Sequence, residues 1–314
     1  MKSYDVVIVG GGPGGLSAAL AFGRGRAEAL LVDGGTPRNA RAHQVHTFLT
    51  RDGTPPSEFR RIAREELAMY ASVEVRDALV TSIEKLTAPD LDGCAFAIAL
   101  GDAKDAAVRA RRVLLAVGMR DELPPIAGLA EFWGTSVFQC PYCHGWELRD
   151  RPWGAVVTSD AMAGFAPFLS NWASHLTLFT NGSELSEATL HTLRQSGLTL
   201  ETEPIARLVG ARDLESVELL SGRTVPCSAL VMRPPQRQVD LVMALGLSLD
   251  EQGFVRVDPQ TKESSTPGIH VIGDATTMQQ AAIMAAAAGM GAAAAMNHAL
   301  VMERMARAAA SSSR

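Results

Sequence analysis

A chain of 314 residues is long enough for about two domains and buries a core without disulfide or metal staples. Its 47% hydrophobic and 20% charged residues exclude extended disorder, and 28 glycines beside 5% aromatics point to backbone-packed α/β architecture. With 29 basic against 34 acidic side chains, a net charge of −5 and no basic stripe interleaved with aromatics, the sequence lacks the electrostatic footprint of a nucleic-acid binder.

Met1-Lys2-Ser3 runs directly into an apolar strand, Tyr4 to Val9, with no hydrophobic leader before it, so a cytoplasmic enzyme is expected. Gly10-Gly11-Gly12-Pro13-Gly14-Gly15, a helical stretch from Leu16 to Phe22 and a second strand from Ala29 to Val32 complete a βαβ unit. Gly34-Gly35-Thr36-Pro37 ends that strand, and Pro55-Pro56 precedes a charged amphipathic helix from Ser57, its N-cap, to about Ala71. Short strands follow near Val73, Leu79, Phe96 and Val113. After Pro124-Pro125 a second βαβ-like layer is expected, with a strand at Gly154 to Val157, a helix through Phe165 to Trp172 and a strand at Leu176 to Phe179. Pro234-Pro235 closes that block; a strand from Gly268 to Gly273 and an Ala-rich helix from Gln279 to about Arg307 follow. The expected division is 1–120 and 241–314 as one discontinuous domain, ending in a short disordered tail, with 121–240 inserted. Residues 275–302 hold no Asp, Glu, Lys or Arg, but their apolarity is mostly alanine and includes Gln279, Gln280, Asn297 and His298, which favours a buried helix over a membrane span.

Gly10, Gly12 and Gly15 fit G-x-G-x-x-G between strand and helix, where bare backbone brings a pyrophosphate onto the helix N-terminus; Pro13 and Gly14 lie within the same turn. Asp33, eighteen residues after Gly15 at a strand end, is placed to accept hydrogen bonds from a ribose diol. At the far end Gly273-Asp274 follows a strand and precedes a helix start near Gln280-Ala281, whose amides and positive dipole suit the anionic edge of a reduced flavin. This resembles the second flavin motif of thioredoxin-reductase-like flavoproteins, in which the Asp holds the ribityl chain, and it favours FAD over NAD. Ala116-Val117-Gly118 resembles the chain-reversal motif of the same proteins.

Cys140-Pro141-Tyr142-Cys143-His144-Gly145 is the chemical centre of the sequence. A C-x-x-C pair closes into a disulfide within one turn, and its local field lowers a thiol pKa towards ~7. C-x-x-C-H is also the spacing of c-type haem attachment, which belongs to exported chains; a zinc site would need a second ligand pair, and Cys94 and Cys227 are isolated and expected to be inert. Two structural cysteines are the plainest alternative; no metal site is expected. The redox pair is favoured. With GGGPGG, AVG, CxxC and GD in this order, the chain resembles low-molecular-weight thioredoxin reductases over essentially its whole length. That resemblance implies two Rossmann-like three-layer α/β domains, a homodimer, Cys143 beside the flavin and Cys140 as interchange thiol. It extends the flavin set to Gly34, Arg38, Asn39, His46 and Leu79.

Two departures matter. Where a reductase needs a second glycine fingerprint for NADPH, this chain reads Val156-Val157-Thr158-Ser159-Asp160-Ala161-Met162-Ala163, and Thr180-Asn181-Gly182 stands where 2′-phosphate arginines would be. Asp160 would face a pyrophosphate with like charge, so the domain is read as a degenerate NADPH-binding domain. His144 replaces the acidic residue that follows the second cysteine in reductases; it suits proton removal from an incoming thiol, although packing is the plainer role for such a ring. These features, with Pro37-Arg38-Asn39 and the segment His46 to Gly53, resemble the FAD-dependent dithiol oxidases that close disulfides in natural products such as holomycin and gliotoxin. The resemblance implies a small-molecule dithiol as substrate, molecular oxygen as acceptor and hydrogen peroxide as product. A disulfide reductase fed by ferredoxin or NADPH is the alternative. Phe138, Tyr142, Trp146 and Trp133 hint at a pocket and are as readily core.

Overall fold

The structure is a computed structural model that describes residues 1–101 and 107–312. The chain forms two compact units: Met1–Ala40, Thr54–Arg120 and Gln236–Arg314 make the first, and Arg41–Gly53 with Asp121–Pro235 the second. The segment 41–53 thus leaves the unit to which its sequence neighbours belong.

The β-branched run at the start folds as β1 (Ser3–Val9), followed by α1 (Pro13–Arg24), β2 (Ala29–Asp33), α2 (Pro56–Leu67), β3 (Val73–Asp77), β4 (Leu79–Lys85), β5 (Phe96–Gly101) and β6 (Ala107–Leu115). The order in the sheet is β3-β2-β1-β6-β5-β4. The β1, β2, β3 and β6 pairings are parallel, as βαβ crossovers require, and β4 and β5 add antiparallel strands. Alternation along β1 sends Val6 and Ile8 to one face and Val7 and Val9 to the other, each into its own buried cluster. Helix α2 has Pro55 as N-cap, two residues ahead of the expected Ser57, because a proline lacks the N–H that the first helical turn leaves unpaired, and it ends at Leu67, short of the expected Ala71.

The short strand β7 (Arg120–Asp121) leads into the second unit. There α3 (Leu129–Phe132), β8 (Val137–Phe138), α4 (Pro141–His144), β9 (Pro152–Val156), α5 (Asp160–Phe165), β10 (His175–Phe179), α6 (Glu187–Gln195), β11 (Thr199–Glu201), β12 (Ile205–Gly210), β13 (Leu214–Leu219), β14 (Thr224–Pro226) and β15 (Ala229–Val231) follow. Its five-stranded sheet, β11-β10-β9-β15-β8, is parallel throughout, and β12-β13-β14 form a separate antiparallel sheet. The helix expected over Phe165 to Trp172 is instead α5 followed by a 3₁₀ turn, Ala166–Asn171, because Pro167 interrupts the α-helical ladder.

Back in the first unit, β16 (Gln236–Arg237), α7 (Asp240–Ala244) and β17 (Ile269–Val271) lead to a 3₁₀ turn, Gly273–Thr276, and to α8 (Ala282–Ser312). Only the centre of the expected Gly268 to Gly273 strand pairs, in parallel with β6. Helix α8 starts after Gln280, not at Gln279, and runs through Ser312; of the expected disordered tail, residues 313–314 lie outside the described residues. Its Ala292, Ala293, Met296 and Leu300 pack with Phe22 and Leu16 of α1. The two backbones approach so closely that a Cβ on Gly289 would lie 2.1 Å from the Gly14 carbonyl oxygen. By length and composition α8 is apolar enough to cross a membrane, yet one face is committed to this soluble-type packing.

Candidate functional sites

In the first unit, the glycine turn between β1 and α1 divides its labour. Gly10 has φ +108°, and a Cβ there would lie 2.4 Å from the Ala116 carbonyl oxygen; a Cβ on Gly15 would lie 1.9 Å from the Gly10 carbonyl oxygen. Both are glycine because backbone occupies the side-chain volume. Gly12 faces open space instead, and as N-cap of α1 it brings no side chain to the first-turn amides, which are left for an anion. Ala116 is fixed by its amide donating to the Val9 carbonyl at 2.8 Å, and Gly118, at φ +67°, turns the chain away.

Asp33, 5% exposed at the end of β2, accepts from the Gly35 amide (2.9 Å) and from Arg64 Nη2 (2.7 Å), and is also bound by Arg60 Nη2. Burial pushes its carboxyl up, but the Gly35 amide and the two guanidinium groups outweigh this and hold it below the ordinary range. A carboxylate has about four acceptor directions, so roughly one is left for a ribose hydroxyl. Arg60 and Arg64, one turn apart on α2, were not singled out from the sequence; their i,i+4 spacing on a helix facing the glycine turn was the signal, and Arg60 Nε also donates to the Gly11 carbonyl at 3.3 Å. Leu79, 64% exposed at the start of β4, flanks Gly34.

Three expected flavin residues from opposite ends of the chain meet: Arg38 Nη1 donates to Asp274 Oδ2 (2.8 Å) and to Gln280 Oε1 (2.6 Å). Gln236 joins them through reciprocal amide bonds with Gln280 at 2.8 and 3.0 Å. Asn39 is half-buried in the adjoining turn, and Gly273 (φ +72°) lets the chain enter the Asp274 turn. Gln280 and Ala281 precede α8 rather than open it; the Ala281 carbonyl accepts the Ala285 amide. The crowded and open glycines, the uncapped N-terminus of α1 and the Arg38–Asp274–Gln280 cluster fit an anionic dinucleotide with a polar chain attached.

In the second unit, Cys140 and Cys143 form a disulfide across one turn, with Cα atoms 5.3 Å apart. Cys140 caps the single-turn helix α4, and its carbonyl accepts the Cys143 amide at 3.1 Å. Gly145 is required behind the pair: a Cβ there would lie 2.9 Å from both Trp153 and Trp172. His144 Nε2 lies 3.2 Å from the Gly134 carbonyl oxygen, so Nε2 carries the hydrogen and Nδ1 the lone pair. That Nδ1 is buried and has no hydrogen-bond partner, and the ring stacks on Phe138 with centroids 4.9 Å apart. Burial lowers its pKa below the usual histidine value, against the pull of the Gly134 and Cys140 carbonyls, so the neutral ring prevails at neutral pH.

His46, expected among the flavin residues, lies in the 41–53 segment of this second unit. Its Nδ1 is 3.4 Å from Asp52 and its Nε2 3.5 Å from Glu147, close behind the cysteine motif. The cause is tertiary: Gly134 packs against Arg41, which draws the segment onto this unit. Cys94 and Cys227 are both buried free thiols, and burial pushes Cys227 up to about 12, which keeps it protonated.

The glycine-free turn after β9 is closed on itself. Ser159 caps α5 by accepting the Met162 amide (3.3 Å), and Asp160 accepts the Ser186 amide (3.0 Å). Beyond β10, Asn181 (φ +52°) accepts the Ile205 amide at 2.8 Å. The open cavity there, about 370 Å³, is lined by Thr180, Ser183, Glu184 and Glu187 among others, with no basic side chain.

Two Rossmann-like layers, one with a dinucleotide turn and one with a redox disulfide, define a flavin-dependent disulfide oxidoreductase. The chain belongs to the pyridine nucleotide-disulphide oxidoreductase family, whose pattern matches residues 4–293, and it is an FAD-dependent thiol-disulfide oxidoreductase. It is 32% identical over 295 residues to thioredoxin reductase aclD of Aspergillus oryzae, covering 90% of this chain and 91% of that one. Thioredoxin reductase sirT of Leptosphaeria maculans is 30% identical, with 86% of each covered. Among solved structures, that of HlmI superposes with a TM-score of 0.91 at 34% identity, covering 99% of this chain and 97% of that one.

Proposed function

We propose that the protein is a dithiol oxidase that closes a disulfide in a small-molecule dithiol of natural-product type and passes the electrons to molecular oxygen. The observation that carries this reading is the turn at 158–163. Its cap position is taken by Ser159, a carboxylate stands in its first turn, and acids line the cavity beyond it, so the chemistry of a second, NADPH-binding turn is missing. On this reading 121–240 is a degenerate nucleotide domain that serves as scaffold for the disulfide.

Neutral His144, with its lone pair on Nδ1, is the base beside the redox turn that would take the proton of a substrate thiol, which requires the buried Nδ1 to be uncovered as the substrate opens the disulfide. The thiolate attacks Cys140 Sγ, the Cys140–Cys143 bond breaks and Cys143 leaves as thiolate. The second substrate thiol, as thiolate, then attacks the substrate sulfur of the mixed disulfide and releases Cys140. The substrate has lost two electrons and two protons, and the two cysteines hold the electrons. FAD, when bound, would supply a two-electron acceptor for the reduced cysteine pair and the reactivity towards oxygen that yields hydrogen peroxide. Gly10, Gly12, Pro13, Gly14, Gly15, Asp33, Gly34, Arg38, Asn39, Leu79, Ala116, Gly118, Gly273, Asp274, Gln280 and Ala281 would hold it. A cytoplasmic homodimer completes the reading; half-exposed Met284 and Met302, about five turns apart on one side of α8, support burial of that face by a second copy.

The names of the fungal relatives favour a second reading, a disulfide reductase fed by NADPH or a protein donor. Anaerobic mixing of the yellow protein with NADPH and, separately, with dithiothreitol separates the two. Bleaching by the dithiol alone, with recovery and peroxide on aeration, is expected. Rapid bleaching by NADPH would overturn the oxidase.

A further inference from the structure

The segment 161–173 carries no charged side chain and places two phenylalanines and a tryptophan where a nucleotide domain has its phosphate-binding helix. Ala163, Ala166 and Leu169 face the core at three-residue spacing, so the core-facing positions are filled. Phe165 and Phe168 recur with the same spacing on another face, and Phe165 is 47% exposed. Their rings touch at 5.4 Å, and Phe168 continues to Tyr142 at 6.0 Å and to Trp172 at 5.2 Å. Tyr142, 61% exposed, sits between the two cysteines and meets Trp172 edge-on at 5.5 Å. A continuous row of rings therefore leads from the redox disulfide along the former nucleotide segment. Core packing accounts for Trp172 but not for the outward faces of Tyr142 and Phe165.

We propose that this row is the recognition surface for the oxidase substrate, and that it selects dithiols borne on a flat, uncharged ring system. The inference rests on the dithiol-oxidase reading and names its substrate class. The occupant follows from the chemistry present: the disulfide demands a dithiol, and exposed rings on a segment with no charged side chain of its own prefer an uncharged aromatic or heteroaromatic body to a nucleotide or an acidic peptide.

The test compares holoenzyme with Phe165→Ala and Phe168→Leu, the second keeping bulk while removing the ring. Oxygen uptake is measured with 1,2-benzenedimethanethiol and with dithiothreitol, which has no ring. For the aromatic dithiol KM is expected to rise about ten-fold, about 1.4 kcal/mol, with kcat within about two-fold. Dithiothreitol kinetics should stay unchanged. Equal losses on both substrates, or no loss on either, overturn the proposal; so does a changed oligomeric mass of Phe165→Ala with unchanged KM, which assigns the rings to a contact between copies. Should the wild type oxidise neither dithiol, the oxidase reading has failed. The surface is then judged by the redox-inert 1,2-benzenedimethanol, followed by tryptophan fluorescence: weaker binding to Phe165→Ala supports it, and equal or absent binding overturns it.

Discussion

The mixed sheet of the first unit and the parallel sheet of the second share a device, a strand running into a helix, and part company at the turn. After β1, Gly10 and Gly15 have backbone where a side chain would be, Gly12 faces open space, and the N-terminus of α1 has no side-chain cap. After β9, Ser159 fills the cap, Asp160 adds negative charge, and the helix lasts only from Asp160 to Phe165 before Pro167 ends it. The difference teaches that the layer and the ligand site are separable. Continuous burial of β9 and β10 on both faces maintains the sheet whether or not the turn still accepts phosphate.

The largest effect that would sharpen this contrast lies in the disulfide. Cys140→Ser and Cys143→Ser should each reduce dithiol turnover by about three orders of magnitude or more while the flavin absorbance is retained. Turnover surviving in either variant would sink the assigned roles. Next come the glycines: Gly10→Ala, with positive φ and a backbone oxygen in the way, should cost about 2 to 4 kcal/mol in urea unfolding. Gly12→Ala faces open space, so it should fold normally and yet purify with less FAD.

His144→Gln should lower kcat/KM for dithiol oxidation at neutral pH by about a hundred-fold, the scale of a lost general base. In the wild type the rate should fall as pH drops through the lowered His144 pKa, because the protonated ring no longer accepts; this acidic limb should vanish in the variant. A limb that persists would assign it to another group. Stability follows the same sign. His144 and His270 are both held neutral by burial, so their contribution is complete above the ordinary value of 6.5 and is lost as pH falls through their lowered folded values. Denaturation midpoints at pH 7 and pH 5 should show the drop, reduced in His144→Gln. The smallest change is expected from Ser159→Ala, about 1 kcal/mol for a lost cap, with FAD content untouched.

Much of the site was legible because its geometry is local. A strand, a glycine turn and a helix within 1–33, and two cysteines one turn apart, dictate their own backbone shape, and the missing second fingerprint is equally local. The helix boundaries shifted where proline decided them, at Pro56 and Pro167. The sequence alone therefore determined the fold class, the glycine turn after β1, the cysteine pair and the absence of glycines from the turn after β9, since contiguous residues constrain one another through φ, ψ and hydrogen bonds of short reach. Tertiary structure alone decided that Arg38 meets Asp274 and Gln280, that Arg60 and Arg64 close on Asp33, that His46 sits by Glu147, and that Phe168 touches Tyr142. Those meetings depend on sheet register, on the packing of α8 and on the path of 41–53, and no local pattern encodes which distant side chain arrives.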